Sequence, residues 1–272
     1  VIPENATDIT NTTGEINDEG DYVVSGERNT TINITGGSPT IYLDRATVAV
    51  GSGNAINITE GNPTIYVVGE DNTISSDNGA GIYVAESSIV TIKGSSKDDE
   101  LIIRGGNGNS GIGGYIKSDH HGVSCGDITI SNITVSVYGS AIGYTGDMSP
   151  GIGCSGNATC GTIDISSATV HAFGITDIDN GYSVPGIGTG ITVVAYPKNL
   201  PDVIAFNSEI YAYRGNPGGT CDYIGWAADL DYPSTTTANS AINPGAGSIK
   251  SSTVYCYTGD TLDKTVVYDE NG

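Results

Sequence analysis

Four groups of residues in this 272-residue chain have types and spacings that could do chemistry. The first is Lys117-Ser118-Asp119-His120-His121-Gly122, where an amine, a carboxylate and two imidazoles share one short stretch. Glycoside hydrolysis uses two carboxylates held at a set separation. Elimination from a uronate uses an Arg or Lys base beside aspartates on Ca²⁺. The stretch lacks paired aspartates within a strand, and the Arg-x-Lys of polygalacturonase-like enzymes is missing, so it reads as a polar loop and no catalytic residue is assigned. The second group is Asp177-Ile178-Asp179-Asn180-Gly181. Asp177, Asp179 and Asn180 offer oxygens to a hard cation that takes 6–8 of them, which makes calcium the expected metal. The spacing is not that of an EF-hand, and an Asx-rich turn is the competing reading. Asp229 and Asp231 form a weaker set, and Asp98-Asp99-Glu100 reads as a solvated turn.

The third group is the five cysteines, 125, 154, 160, 221 and 256. Cys125-Gly126-Asp127-Ile128 matches Cys160-Gly161-Thr162-Ile163 at an offset of 35. Equivalent positions on adjacent coils lie one strand spacing apart, which suits a disulfide. Cys125–Cys160 is therefore the first expectation and Cys154–Cys160, closing a short loop, the alternative. An odd count leaves at least one thiol, and Cys256 is expected to face inward as a small core residue. No Cys-x-x-Cys occurs, so zinc is not expected.

The fourth group is the tyrosines, sixteen in all. Tyr42 and Tyr66 hold equivalent positions in a repeat and should stack on one face, with Tyr83 extending the row. Tyr211 and Tyr255 are equivalent in a second repeat, where Ser136 and His171 also fall. A row of aromatic faces is a platform for the C–H faces of sugar rings, while the bland reading is cross-strand packing alone. Asn33 and Asn57 are matched in the same way and could bond to each other.

The elements that must position these groups are legible as repeats, which are to be sought before anything else. Residues 33–43 (NITGGSPTIYL) recur as 57–67 (NITEGNPTIYV), an offset of 24 with eight identities in eleven. A second family, ITVSVY, ATVHAF, SEIYAY and STVYCY, starts at Ile133, Ala168, Ser208 and Ser252, with offsets of 35, 40 and 44. Each has a β-branched residue third and an aromatic sixth. Gly-Ile-Gly recurs at 111–113, 151–153 and 186–188, with Ala-Ile-Gly at 141–143 and Tyr-Ile-Gly at 223–225. Within the runs the period is two: Ile41 and Leu43 against Tyr42, Ile65 and Val67 against Tyr66, Ile82 and Val84 against Tyr83. Gly, Asn, Asp, Ser and Pro punctuate runs of four to six residues, and no helical periodicity appears.

Such repeats bury too little apolar area singly and must stack. The expected fold is all-β, a right-handed parallel β-helix of roughly 6–11 turns and ~30–50 Å. The sequence shows no linker, so residues 1–272 are expected to form one domain, capped by residues 1–30 and 258–272. Turns lengthen from 24 residues to 35–44, so loop-built function should lie in the C-terminal half.

Composition narrows the partners. Thirty-one acidic residues against ten basic ones give −21, which disfavours nucleic acid and anionic membrane surfaces. No apolar run reaches the ~20 residues of a membrane span. The scarcity of Lys with abundant Asn, Thr, Gly and Tyr fits a secreted or cell-surface protein whose signal peptide has been removed. Seven Asn-x-Ser/Thr sequons, at Asn5, Asn11, Asn29, Asn33, Asn57, Asn132 and Asn157, read as a consequence of composition.

The strings GAGIYVAESSIVTIKG (79–94), SGIGG…CGDITISNITVSVYG (110–139) and GIGCSGNATCGTIDISSATVHAFG (151–174) are similar to exported Gly-Ile-Gly repeat proteins of gut-type bacteria. The N-terminal third, with EGDYVVSG (19–26), resembles carbohydrate-binding β-helix proteins related in shape to polysaccharide lyases. The resemblance spans residues 19–190 and implies surface exposure and, in some members, calcium-dependent binding of acidic polysaccharide. It transfers no binding residue. The expected function is thus a non-catalytic, adhesin-like module for polysaccharide or cell-surface glycan, with calcium as its stabilising ion. A polysaccharide lyase or glycoside hydrolase and a structural surface stalk are the alternatives.

Overall fold

The computed structural model of the protein describes every residue except 143–146, 157, 178–181, 192–198, 216–220, 226, 228–241 and 246. Among the described residues there are twenty-six strands and no helix, hence none that is long and apolar enough to cross a membrane. Nearly all strand pairs are parallel and join residues one coil apart, which makes the fold a parallel β-helix.

Each coil contributes to three faces. Sheet III is the simplest, with eight strands in chain order: Glu15–Ile16, Ile32–Thr35, Ile56–Glu60, Ile82–Val84, Ile112–Gly113, Ile152–Cys154, Ile187–Thr189 and Ile224–Gly225. Its register gives the coil lengths. Ile32, Ile56, Ile82, Ile112, Ile152, Ile187 and Ile224 are successive partners, so the coils measure 24, 26, 30, 40, 35 and 37 residues. Lengthening toward the C-terminal half is therefore real.

Sheets I and II begin as one. Asp21–Arg28 and Thr40–Val50 each run through both faces. Thr40–Val50 then pairs Thr64–Val68 with its first half and Asn72–Ser76 with its second, and from there the faces separate. Sheet I continues through Ile89–Lys93, Asp127–Ser131, Ile163–Ser166, Val203–Phe206 and Ile249–Lys250. Sheet II continues through Glu100–Arg104, Thr134–Tyr138, Thr169–Phe173, Glu209–Arg214 and Ser252–Thr258. The corner between them is one residue in the left-handed region: Arg45, Asn132, Ser167, Asn207 and Ser251 have φ between 47° and 51°. Asn tolerates that conformation best among non-glycine residues.

Period-two alternation sends Ile41, Leu43, Ile65, Val67, Val90, Ile92, Val135, Val137, Ile152 and Ile187 inward, all fully buried in one continuous core. Cys256 continues the inward column Ala172–Ala212, as expected. Gly-Ile-Gly has a steric origin. The Ile fills the core, and the second Gly of each motif stacks on the next coil with φ of 127°, 137° and 144° at Gly113, Gly153 and Gly188. A Cβ on Gly153 would stand 1.9 Å from the Gly188 carbonyl oxygen. Tyr223-Ile224-Gly225 joins this column, but Ala141-Ile142 does not. Ala141 bridges Met148 within a loop, and Gly143 lies outside the described residues.

Each end carries an added feature. At the N-terminus the Arg28 guanidinium is buried and donates to the carbonyls of Ile9, Thr12, Thr30 and Thr31. At the C-terminus Thr261–Tyr268 turns back antiparallel on Ser252–Thr258, covering the open edge of sheet II. A polar clamp fastens it: Tyr223 Oη donates to Asp263 at 2.6 Å, and Arg214 Nε donates to Thr258 Oγ1 at 2.8 Å.

Candidate functional site

The outward positions of sheet II carry two adjacent columns of rings. Strands of period two repeat their outward side chains at equal heights, so coils in register bring like residues together. One column is Tyr138, Phe173, Tyr213 and Tyr257, with centroid separations of 4.2, 4.2 and 4.5 Å and interplanar angles of 2°, 13° and 21°. The other is His171, Tyr211 and Tyr255, at 4.3 and 4.5 Å, both at 13°. Arg104, one coil before Tyr138 in the same register, lays its guanidinium 3.9 Å from that ring.

This geometry changes what the tyrosines can do. A face of flat rings open to sugar was the expectation for Tyr211 and Tyr255. Instead, Tyr211 is covered by His171 on one face and Tyr255 on the other, and Phe173 and Tyr213 are likewise covered on both. Sheet spacing of ~4.8 Å is close to the centroid separation at which rings stack, so the columns consume their own faces. Ring edges and phenol oxygens are what remain. Burial raises the pKa of Tyr211 and Tyr213, helped by Glu209 at Tyr211 and by Tyr257 at Tyr213, so both stay neutral donors and acceptors. The Tyr138–Tyr257 column is the aromatic sixth residue of each repeat string.

Tyr42 and Tyr66 are register partners on sheet I, as expected, but meet at 5.4 Å and 38°. Lys93 follows them, its Nζ 5.7 Å from the Tyr66 centroid. Tyr83 does not extend this row. It lies on sheet III, opposite Asn57 and Gly113, and packs edge-on against Tyr115 at 5.0 Å. The reason is that Ile82–Val84 is the third strand of its coil, whereas Thr64–Val68 is the first. The asparagine ladder forms: Asn54 Nδ2 donates to Asn57 Oδ1 at 2.9 Å, and Asn57 Nδ2 to Asn33 Oδ1 at 3.1 Å. Near the N-terminal end an open hollow of about 480 Å³ is lined by Thr10, Asn11, Glu27, Asn29, Thr30 and Thr47, among others.

The disulfide is Cys154–Cys160, so the first expectation, Cys125–Cys160, is corrected in favour of the local pairing. Cys125 remains a buried thiol beside it, and Cys221 and Cys256 are buried thiols elsewhere. Of the expected calcium ligands, Asp179 and Asn180 lie outside the described residues, and Asp177 ends a short strand with its side chain outside them. Asp229 and Asp231 also lie outside them. Asp99 is not the solvated turn residue expected. It is buried, and its carboxylate accepts from Gly69 N at 2.6 Å, Ser95 N at 2.6 Å, Ser95 Oγ at 2.7 Å and Ser96 N at 3.2 Å. Burial pushes its pKa upward, but those hydrogen bonds outweigh it and hold the carboxyl below its usual value.

The stretch 117–122 meets an acid that its own sequence does not supply. His120 Nδ1 contacts the fully buried carboxylate of Asp147, a residue of a different loop. A carboxylate on Nδ1 orients an imidazole as in acid–base dyads. No family model, curated protein or solved structure matches the chain.

Proposed function

We propose that this chain is a non-catalytic extracellular or cell-surface module, adhesin-like, that binds polysaccharide or cell-surface glycan along sheet II. The observation that carries the reading is the pair of adjacent ring columns, Tyr138–Phe173–Tyr213–Tyr257 and His171–Tyr211–Tyr255. They make a long face of apolar ring edges bordered by phenol hydroxyls. The phenols of Tyr211 and Tyr213, kept protonated by burial, suit the alternating C–H and O–H surface of a sugar chain. The charge of −21 favours neutral glycans, or acidic ones bridged by calcium.

Tyr→Phe exchange separates binding from packing, because it removes hydroxyls and keeps the stack. The test is an array of neutral and acidic glycans, probed with calcium and with EDTA, comparing the natural chain with Tyr211→Phe/Tyr213→Phe/Tyr255→Phe/Tyr257→Phe. The expected loss is about tenfold or more, since each hydrogen bond is worth about 1 kcal/mol and about 1.4 kcal/mol is tenfold. No glycan bound in either condition sinks the reading. So does an unchanged affinity in the quadruple variant.

A catalytic reading, as a polysaccharide lyase or glycoside hydrolase, draws on the His120–Asp147 contact. It predicts unsaturated or reducing ends released from pectin-like substrates, and their loss in His120→Ala. If neither glycan binding nor release is found, the ring columns act only as packing and the protein is a structural stalk.

A further inference from the structure

The cysteine cluster holds more than a disulfide. The sulfurs of Cys125, Cys154 and Cys160 all lie within 4.8 Å of one another, in a small buried cluster with Ala158. Cys125 and Cys160 are also neighbours in a parallel ladder: Cys125 N donates to Thr159 O at 3.0 Å, and Gly161 N donates to Cys125 O at 3.0 Å. Parallel neighbours stand ~4.8 Å apart at Cα, inside the disulfide range of roughly 4.4–6.8 Å. Cys154 and Cys160 are 5.5 Å apart at Cα. Two pairings of Cys160 are thus open to the same backbone, and the third sulfur is already in place to exchange them.

We propose that Cys125, Cys154 and Cys160 form an exchange site in which one disulfide moves between the 154–160 and 125–160 pairings. The Cys125 thiolate attacks Cys160 Sγ, the Cys154–Cys160 bond breaks, and Cys154 leaves as a thiolate that takes up the proton Cys125 gave up. One disulfide and one thiol stand on each side, so no oxidant or reductant is needed. The consequence is mechanical. The bond passes from a tie within one loop, with a sequence separation of 6, to a tie between successive coils, with a separation of 35.

The attacking group sets the rate. Burial pushes the Cys125 thiol up to about 11, Asp127 and Glu86 add to this, and backbone hydrogen bonds from Gly161 and Gly114 oppose it. Exchange is therefore slow near neutrality and quickens about tenfold per pH unit up to that value.

The full chain is incubated at pH 7, 8, 9 and 10 under non-reducing conditions, quenched in acid, unfolded, alkylated at acid pH and mapped by peptide mass spectrometry. Far-UV circular dichroism confirms that the fold persists at each pH. The expected result is a 125–160 linked peptide with free Cys154, approached faster at each higher pH. Cys125→Ser keeps only the 154–160 bond. Cys154→Ser treated with glutathione disulfide forms 125–160. The proposal is overturned if Cys125 stays the alkylated residue at every pH, or if Cys154→Ser keeps its fold with Cys125 and Cys160 both as thiols. Linkage of Cys125 to Cys154, or of any of the three to Cys221 or Cys256, overturns it equally.

Discussion

If the rings of sheet II occupy one another's faces, removing one must cost its neighbours. Tyr211 is the most informative position, because it is stacked on both sides, on His171 at 4.3 Å and on Tyr255 at 4.5 Å. A stacked pair contributes about 0.5–1.5 kcal/mol beyond burial, so Tyr211→Ala should lose about 1–3 kcal/mol from stacking. The poorer strand propensity of Ala adds up to about 1 kcal/mol. Tyr255→Ala loses one stack and the same propensity. The pair is then coupled: the double variant should be less destabilised than the sum of the singles by about 0.5–1.5 kcal/mol. Tyr42 and Tyr66, tilted by 38° at 5.4 Å, should couple at the lower end of that range. Tyr66 with Tyr211, on different sheets, should not couple at all. Urea unfolding followed by circular dichroism and by tyrosine fluorescence measures all of these, and coincident curves are needed because solenoids can lose two-state behaviour. A coupling of Tyr211 with Tyr255 within about 0.3 kcal/mol of zero would refute the stacked-column reasoning, since that is the scatter of independent sites.

Other outcomes follow from single positions. Gly153→Ala should cost about 3 kcal/mol or more, because φ is 137° and the new Cβ meets the Gly188 carbonyl at 1.9 Å. Gly53→Ala, with φ of 72° but nothing within 4 Å, should cost only about 1 kcal/mol in the same urea assay. Asp99 and Asp263 both titrate below their usual value. Burial raises each, but hydrogen bonds outweigh it: from Ser95, Gly69 and Ser96 at Asp99, and from Thr258 and Tyr223 at Asp263. Their stabilisation is therefore full above the unfolded carboxylate value of about 4 and lost as pH falls through the lower folded values. Asp99→Asn should flatten that acid limb in thermal melts between about pH 5 and about pH 2. Burial lowers the pKa of His171, against the opposing charge of Glu209. The fold thus loses stability as pH drops from about 6.5 toward the lower folded value, and His171→Phe should remove this slope while keeping the stack.

Much of the fold was readable because strands encode their faces locally. The alternation of Ile41, Tyr42 and Leu43 depends only on the period of two, and the offset of 24 that matches Tyr42 with Tyr66 is also their register. Gly-Ile-Gly likewise marks one site per coil. What sequence left open depends on atoms brought together from separate coils. Tyr83 belongs to sheet III because of where the chain bends, and bends do not show in a strand's own pattern. The sequence string of Asp98-Asp99-Glu100 looks solvated, yet Asp99 is buried because the Gly69 amide of the preceding coil and the Ser95 and Ser96 groups converge on it. His120 meets Asp147 only because two long loops fold together. Repeat arithmetic placed Cys125 beside Cys160, and the ladder agrees. The choice of Cys154 as partner was made by side-chain approach within a cluster of three. The tyrosine columns divide in the same way: sequence by itself determined that the rings share a face and a register, whereas the tertiary structure decided that they lie flat on one another, because coil spacing is close to the centroid separation of stacked rings.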